Sequence, residues 1–338
     1  MDSVTQFVLG ASVGEAVAGK RAGNWAMLWG GICGTIPDLD VLMRFFYDEI
    51  TMIGVHRGFS HSILFAFLIA PLLAFIQFKI HKKQEANYKD WLLLSFLAVV
   101  THPILDAFTV YGTQLFQPFS DYPVAFNSIF IIDLFYTLPF IIALIAILFF
   151  NRKSKKRRLI NNIAIIFTTF YLLLGLISKF SADEVFENNF KRENLGLIND
   201  FSSPSPLNII LWNSIFVAEN DTAYVAVYSH LDSDKNIKFE KIARNTHLIQ
   251  DNLNDEVIKK LKWFSRGLYT VIEDQGELYF IDLRFSRSDF YISQTGSFIF
   301  KFRLIYDGDK VVNIGRERPK FDLSKQSFID LYNRVLGD

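Results

Sequence analysis

The stretch His56-Arg57-Gly58-Phe59-Ser60-His61-Ser62 runs straight into Ile63-Leu64-Phe65-Ala66-Phe67-Leu68, the start of an apolar run that reaches Ile80. Two imidazoles, a guanidinium and two hydroxyls thus stand at the mouth of a hydrophobic helix. Crossing a bilayer takes about 20 mostly apolar residues. Residues 61–80, 91–110, 129–150 and 159–178 meet that length, and 25–43 is a Gly-rich fifth candidate closed by Pro37-Asp38-Leu39-Asp40. Residues 4–18, broken by Gly10, Gly14 and Glu15, read as a half-helix or a tilted span. The expectation is a multi-pass α-helical membrane domain over 1–180, with about six spans.

The composition agrees: hydrophobic residues make up 51% of the 338, with 35 Phe, crowded into the first half. A net charge of +0 gives no global field that would gather nucleic acid. The single Cys33 excludes an internal disulfide framework and a Cys-rich zinc motif. An opening Met1-Asp2 without basic residues argues against a cleavable signal peptide. Basic residues collect in three loops: Lys20-Arg21, Lys82-Lys83, and 151–158 with six Lys or Arg and no acid. Cytoplasmic loops carry such an excess. With alternating spans these loops share the inner side, so 44–60, 111–128 and everything after Lys179 face outward.

Beyond the membrane half, Ser202-Ser203-Pro204-Ser205-Pro206 reads as loop punctuation. Residues 208–218, 222–230, 267–273, 277–284 and 297–306 read as strands, with hairpin connections at Asn220-Asp221 and Asp274-Gln275-Gly276. Helices are expected at about 251–264 and 323–336. Residues 181–338 are therefore expected to form a small, mostly antiparallel α+β domain outside the membrane.

The topology brings Asp38, Asp40, His56, His61, His102, Asp106 and Asp133 to one level, at the outer ends of the spans. Ionisable groups are costly there and mark function. His102 and Asp106 are four apart and share a helix face, with Pro103 between them expected to kink or break the helix. Asp38 and Asp40 share a side only if the chain is extended after Pro37. His56 and His61, five apart, suit a turn hinged at Gly58 with Ser60 capping the third span. Imidazole with carboxylate suits zinc or a similar divalent ion, which would activate a water near neutral pH. Asp38, Asp40, His56, His61, His102 and Asp106 are the candidate ligands. Arg57 is placed to clamp an anionic oxygen. Asp40 is a candidate general base, and Asp133 either caps its helix or orients a ligand. Glu15, His81, His230 and His247 are read as ordinary caps, snorkelling groups or loop residues.

These motifs resemble the YdjM-like family, whose members are labelled membrane-bound metal-dependent hydrolases or LexA-binding, inner-membrane-associated hydrolases. The resemblance rests on Pro37-Asp38-Leu39-Asp40, on His56-Arg57-Gly58-Phe59-Ser60-His61-Ser62 and on Thr101-His102-Pro103-Ile104-Leu105-Asp106. It extends to the opening Met1-Asp2-Ser3-Val4-Thr5-Gln6 and to Tyr111-Gly112-Thr113-Gln114-Leu115-Phe116 with Pro118, about 140 residues in all. It implies a bacterial inner membrane location and a bound divalent metal. The expected activity is hydrolysis at the outer membrane-water boundary, with a lipid-like phosphoester as the substrate class; the rival is a scaffold with a structural metal site.

Overall fold

The structure, a computed structural model, describes residues 1–292, 296–317 and 325–337. The N-terminal part is helical. Helix α1 (Ser3–Ala22) is capped by Asp2, whose carboxylate accepts from the Val4 and Thr5 N–H groups. One residue, Gly23 at φ 62°, turns it back into α2 (Asn24–Thr35). The two helices cross so closely that a Cβ on Gly10 or Gly14 would collide with the carbonyls of Gly30 and Ala26. Small residues that let backbones touch are the usual adhesive between helices in lipid. Glycines that seemed to interrupt residues 4–18 are thus what α1 packs through, and the helix is 20 residues long.

Helix α2 stops at Thr35, not near residue 43: the chain tightens into a 3-10 helix from Pro37 to Phe45. A short α3 (Glu49–Val55) leads to the turn before α4 (Ile63–Ile80). Ser62, rather than Ser60, caps α4 by accepting from the Phe65 N–H. Helix α5 (Tyr88–Asp106) opens with a capping box of Asn87 and Asp90 and continues through Pro103 without ending. Helix α6 (Leu134–Ile147) is capped by Asp133, and α7 (Lys155–Phe190) runs for 36 residues.

Among the described residues, two helical stretches are long and apolar enough to cross a membrane, Ile63–Ile80 and Lys155–Glu193. Only 22% and 17% of their apolar windows are buried, so both offer apolar surface outward, unlike the core helix of a soluble protein. At 12 and 14 residues, α2 and α6 span about 18 and 21 Å, short of a bilayer core of about 30 Å. The interior between α1, α2, α4 and α5 is built of small side chains, among them Ala18, Ala26, Ala66, Ala74 and Ala98, around Trp91 and Leu94.

By its contacts the chain divides into two units, Met1–Phe45 with Val55–Leu176, and Phe46–Gly54 with Ile177–Asp338. The second unit carries two four-stranded antiparallel sheets. One is β1 (Leu197–Pro204), β2 (Leu211–Ala218), β3 (Thr222–Ser229) and β4 (Glu240–Ala243); the other is β5 (Tyr269–Asp274), β6 (Glu277–Asp282), β7 (Lys301–Asp307) and β8 (Lys310–Glu317). Ser202 to Pro204, read as a loop, end β1, and neither β4 nor β8 was anticipated. The turn at Gln275-Gly276, both at positive φ, closes the β5–β6 hairpin as expected. Phe186 and Phe190 of α7 pack on Trp212, Phe216 and Tyr228 of the first sheet. Helix α8 (Glu256–Phe264) and α9 (Lys325–Val335) complete the fold; positions 323 and 324 of the expected last helix lie outside the described residues.

Candidate metal centre

Four side chains from three segments converge: Asp38 of the 3-10 helix after α2, His61 of the turn before α4, and His102 and Asp106 of α5. One ligand atom from each lies within 4.8 Å of all the others. The Nε2 atoms of His61 and His102 stand 3.1 Å apart. Asp38 Oδ1 is 3.5 Å from the first and 3.4 Å from the second, and Asp106 Oδ2 is 3.5 and 3.6 Å from them. Ligands held about 2.0–2.1 Å from a tetrahedral ion are about 3.3–3.4 Å from one another.

The surroundings fix which atoms point inward. His102 Nδ1 is 2.6 Å from the Gly34 carbonyl, so it carries the proton and leaves Nε2 with its lone pair. His61 Nδ1 stands 3.2 Å from Asp40 Oδ2 and 3.0 Å from Ser60 Oγ, which favours the same tautomer. Two imidazole lone pairs and two carboxylate oxygens then face one another. Asp106 Oδ2 is buried and accepts no hydrogen bond; Arg57 Nε lies 3.0 Å away but out of alignment, and it too lacks a partner. Buried acceptors turned on each other are unfavourable unless a cation sits among them. The cluster could hold a metal ion, and its donor set fits one.

The remaining expected residues are placed otherwise. Asp40 is fully used in orientation: Oδ1 meets His56 Nδ1 at 2.8 Å, while Oδ2 accepts from the Arg57 N–H at 3.0 Å and Ser60 Oγ at 2.9 Å. It stands behind His61 as a carboxylate behind a metal-binding imidazole. Asp38 and Asp40 part company because the chain after Pro37 is a 3-10 helix rather than extended. His56 stays outside the four, its side chain 30% exposed and its ring against Tyr111. Arg57, not Gly58, takes the left-handed backbone conformation, at φ 59°. This drives its guanidinium inward, where Nη1 donates to Thr109 Oγ1 at 2.8 Å and to the Asp106 carbonyl at 3.4 Å. Asp133 is not brought to the cluster; it caps α6 and accepts from the Tyr171 hydroxyl at 2.8 Å.

Several supporting groups escaped the sequence reading. Gln6 donates to Asp106 Oδ1 at 2.9 Å, and the Met1 amine contacts the same oxygen. Glu15, read as a cap or snorkelling group, forms a buried two-pronged pair with Arg157, at 2.7 and 2.6 Å. His81 is nine-tenths buried, accepts from Trp29 Nε1 at 2.8 Å and stacks on Trp91. His230 Nε2 contacts Ser178 Oγ at 2.9 Å. None of these has a short-range sequence signal, since each hydrogen-bond partner is more than 50 residues away.

A helical N-terminal part with an Asp/His cluster at helix ends defines the class. The family model of the YdjM inner membrane protein matches residues 1–182, and the chain belongs to that family. The chain is 32% identical over 139 residues to the uncharacterized protein YfhP of Bacillus subtilis, a match covering 38% of this chain and 41% of that one. It is 28% identical over 120 residues to the inner membrane protein YbcI of Escherichia coli, covering 35% of this chain and 68% of that one. The chain thus spans less than half the length of the Bacillus relative. No solved structure matches it.

Proposed function

We propose that the chain is a multi-pass inner membrane hydrolase that holds zinc between Asp38, His61, His102 and Asp106 and cleaves a lipid-like phosphoester at the outer membrane boundary. The observation that carries this reading is the inward convergence of two imidazole nitrogens and two carboxylate oxygens, one of which accepts no hydrogen bond. When bound, the ion supplies Lewis acidity and a water acidic enough to react near neutral pH.

The chain's own residues divide the remaining work. Asp38 is 23% exposed, against 0–1% for His61, His102 and Asp106, so it is the donor that solvent and substrate reach. Its second oxygen serves as general base and takes the proton of the attacking water. Asp40 holds the His61 ring, and Gln6 and Arg57 hold Asp106. A lipid substrate follows from the level of the site. His61 lies two residues before α4, and the Ile63 N–H donates to the carbonyl of Leu115, next to exposed Phe116 and near Phe119. Burial of Thr5, Gln6, Ser12 and His102 leaves α1 and α5 a less polar outer surface than their sequences carry, which supports a multi-pass reading.

One observation favours a structural ion instead: four protein donors fill a tetrahedral set, and the Arg57 guanidinium is committed. Elemental analysis of the detergent-purified protein decides, beside hydrolysis of short-chain phospholipids. Zinc in the wild type, lost in His61→Ala and His102→Ala, with Asp38→Asn keeping zinc but losing turnover, supports the hydrolase. Zinc with no cleavage, lost together with heat stability in Asp38→Asn, supports the staple. Wild-type protein without metal sinks both.

A further inference from the structure

A second site stands in the C-terminal unit. A cavity of about 590 Å³ is lined by three basic side chains, Arg244, His247 and Lys262, and no carboxylate is among its lining residues. Pockets for small ligands run from about 300 to 1,000 Å³. Arg244 is nine-tenths buried and rigidly held. Its Nε donates to the Tyr269 carbonyl at 3.1 Å and Nη2 to the Gly267 carbonyl at 3.0 Å, with the guanidinium 4.8 Å from the centre of the Tyr269 ring. The nearest acid, Asp221, is 3.8 Å from Nη1 and already accepts from the Thr246 N–H and hydroxyl. Lys262 accepts from the Gly267 N–H and the Ser265 hydroxyl through its carbonyl, but neither its side chain nor that of His247 makes a hydrogen bond or ion pair among the described residues. Asp221, shared with Thr246, offsets one charge at most, so Arg244 together with Lys262 leaves the hollow a positive excess that an anion relieves.

The rest of the lining narrows the ligand. Asn199, Thr246 and Gln250 add polar groups, while Ile198, 60% exposed, and Leu253, 37% exposed, leave apolar surface at the rim. We propose that this cavity binds the phosphate group of a phosphorylated amphiphile, with Lys262 and Arg244 on the phosphate and the apolar rim under the chain next to it. A guanidinium edge and an ammonium suit a multiply charged phosphate better than a single carboxylate. The site shares no residue with the metal cluster, and its occupancy does not depend on any reaction there.

The full chain in a neutral maltoside detergent is titrated calorimetrically with glycerol 3-phosphate, dihexanoyl phosphatidic acid and dihexanoyl phosphatidylcholine. Saturable binding of the phosphatidic acid is expected, at least 10-fold tighter than the phosphatidylcholine. Lys262→Glu should weaken it at least 10-fold and the exposed His247→Ala a few-fold. Tighter binding of phosphatidic acid than of glycerol 3-phosphate supports the amphiphile, and equal binding of the two overturns it in favour of a soluble phosphate ester. No saturable binding of either phosphate, or the same affinity in a folded Lys262→Glu, overturns the proposal.

Discussion

Replacing Asp40 separates a ligand from a residue that aims one. The structure gives Asp40 no access to the centre of the cluster: His56 takes one oxygen, and Arg57 N–H, Ser60 and His61 take the other. Removing the partner behind a metal-bound imidazole weakens binding about 10- to 100-fold, or about 1.4 to 2.7 kcal/mol. Asp40→Asn belongs near the lower bound. Its amide oxygen can replace Oδ2, turning the NH2 towards His56, whose side chain is 30% exposed and free to change tautomer. Asp40→Ala belongs near the upper bound, because the buried Arg57 N–H and Ser60 hydroxyl also lose their acceptor. The assay is zinc competition against a chelator of known affinity. His61→Ala, which removes a donor outright, should retain no ion, and Asp133→Asn, which only loosens the cap of α6, should match the wild type. Asp40→Asn losing zinc as completely as His61→Ala would make Asp40 a ligand. Unchanged affinity in Asp40→Ala would show that aiming His61 contributes nothing.

Three further outcomes follow from the fold. Gly14→Leu places a side chain into the backbone of Ala26 and Gly30, so it should abolish monodisperse protein in size-exclusion chromatography, whereas Leu at the exposed Ile142 should not. Glu15→Gln leaves Arg157 buried beside a neutral partner and should destabilise the helical part by about 3–5 kcal/mol in denaturant titration; Glu15→Met with Arg157→Met should recover much of that. The orientation expected from the basic loops requires a periplasmic-type reporter fused after Asp338 to be active; activity confined to a cytoplasmic reporter would reverse it.

The residue types of the Asp/His cluster were legible in the sequence because each sits near where a helix begins or ends, and those ends show in the apolar runs, in Pro37 and in the His102–Asp106 spacing, although the cap of α4 is Ser62 and not the expected Ser60. Period alone put His102 and Asp106 on one face. Hairpin turns at Asp221 and at Gln275-Gly276 were equally local, since positive φ is a property of a few residue types. The tertiary structure decided which carboxylate does what. Asp38 and Asp40 are two residues apart, and only the tightness of the helix after Pro37 sends one to the imidazole nitrogens and the other behind His61. It also turned Arg57 inward through a left-handed backbone that no sequence rule assigns to arginine next to a glycine. The pairs Glu15–Arg157 and Gln6–Asp106 lie 142 and 100 residues apart. Such partners are chosen by how α1 packs against its neighbours, through the close approach its glycines allow, and that geometry exists only once the helices have met.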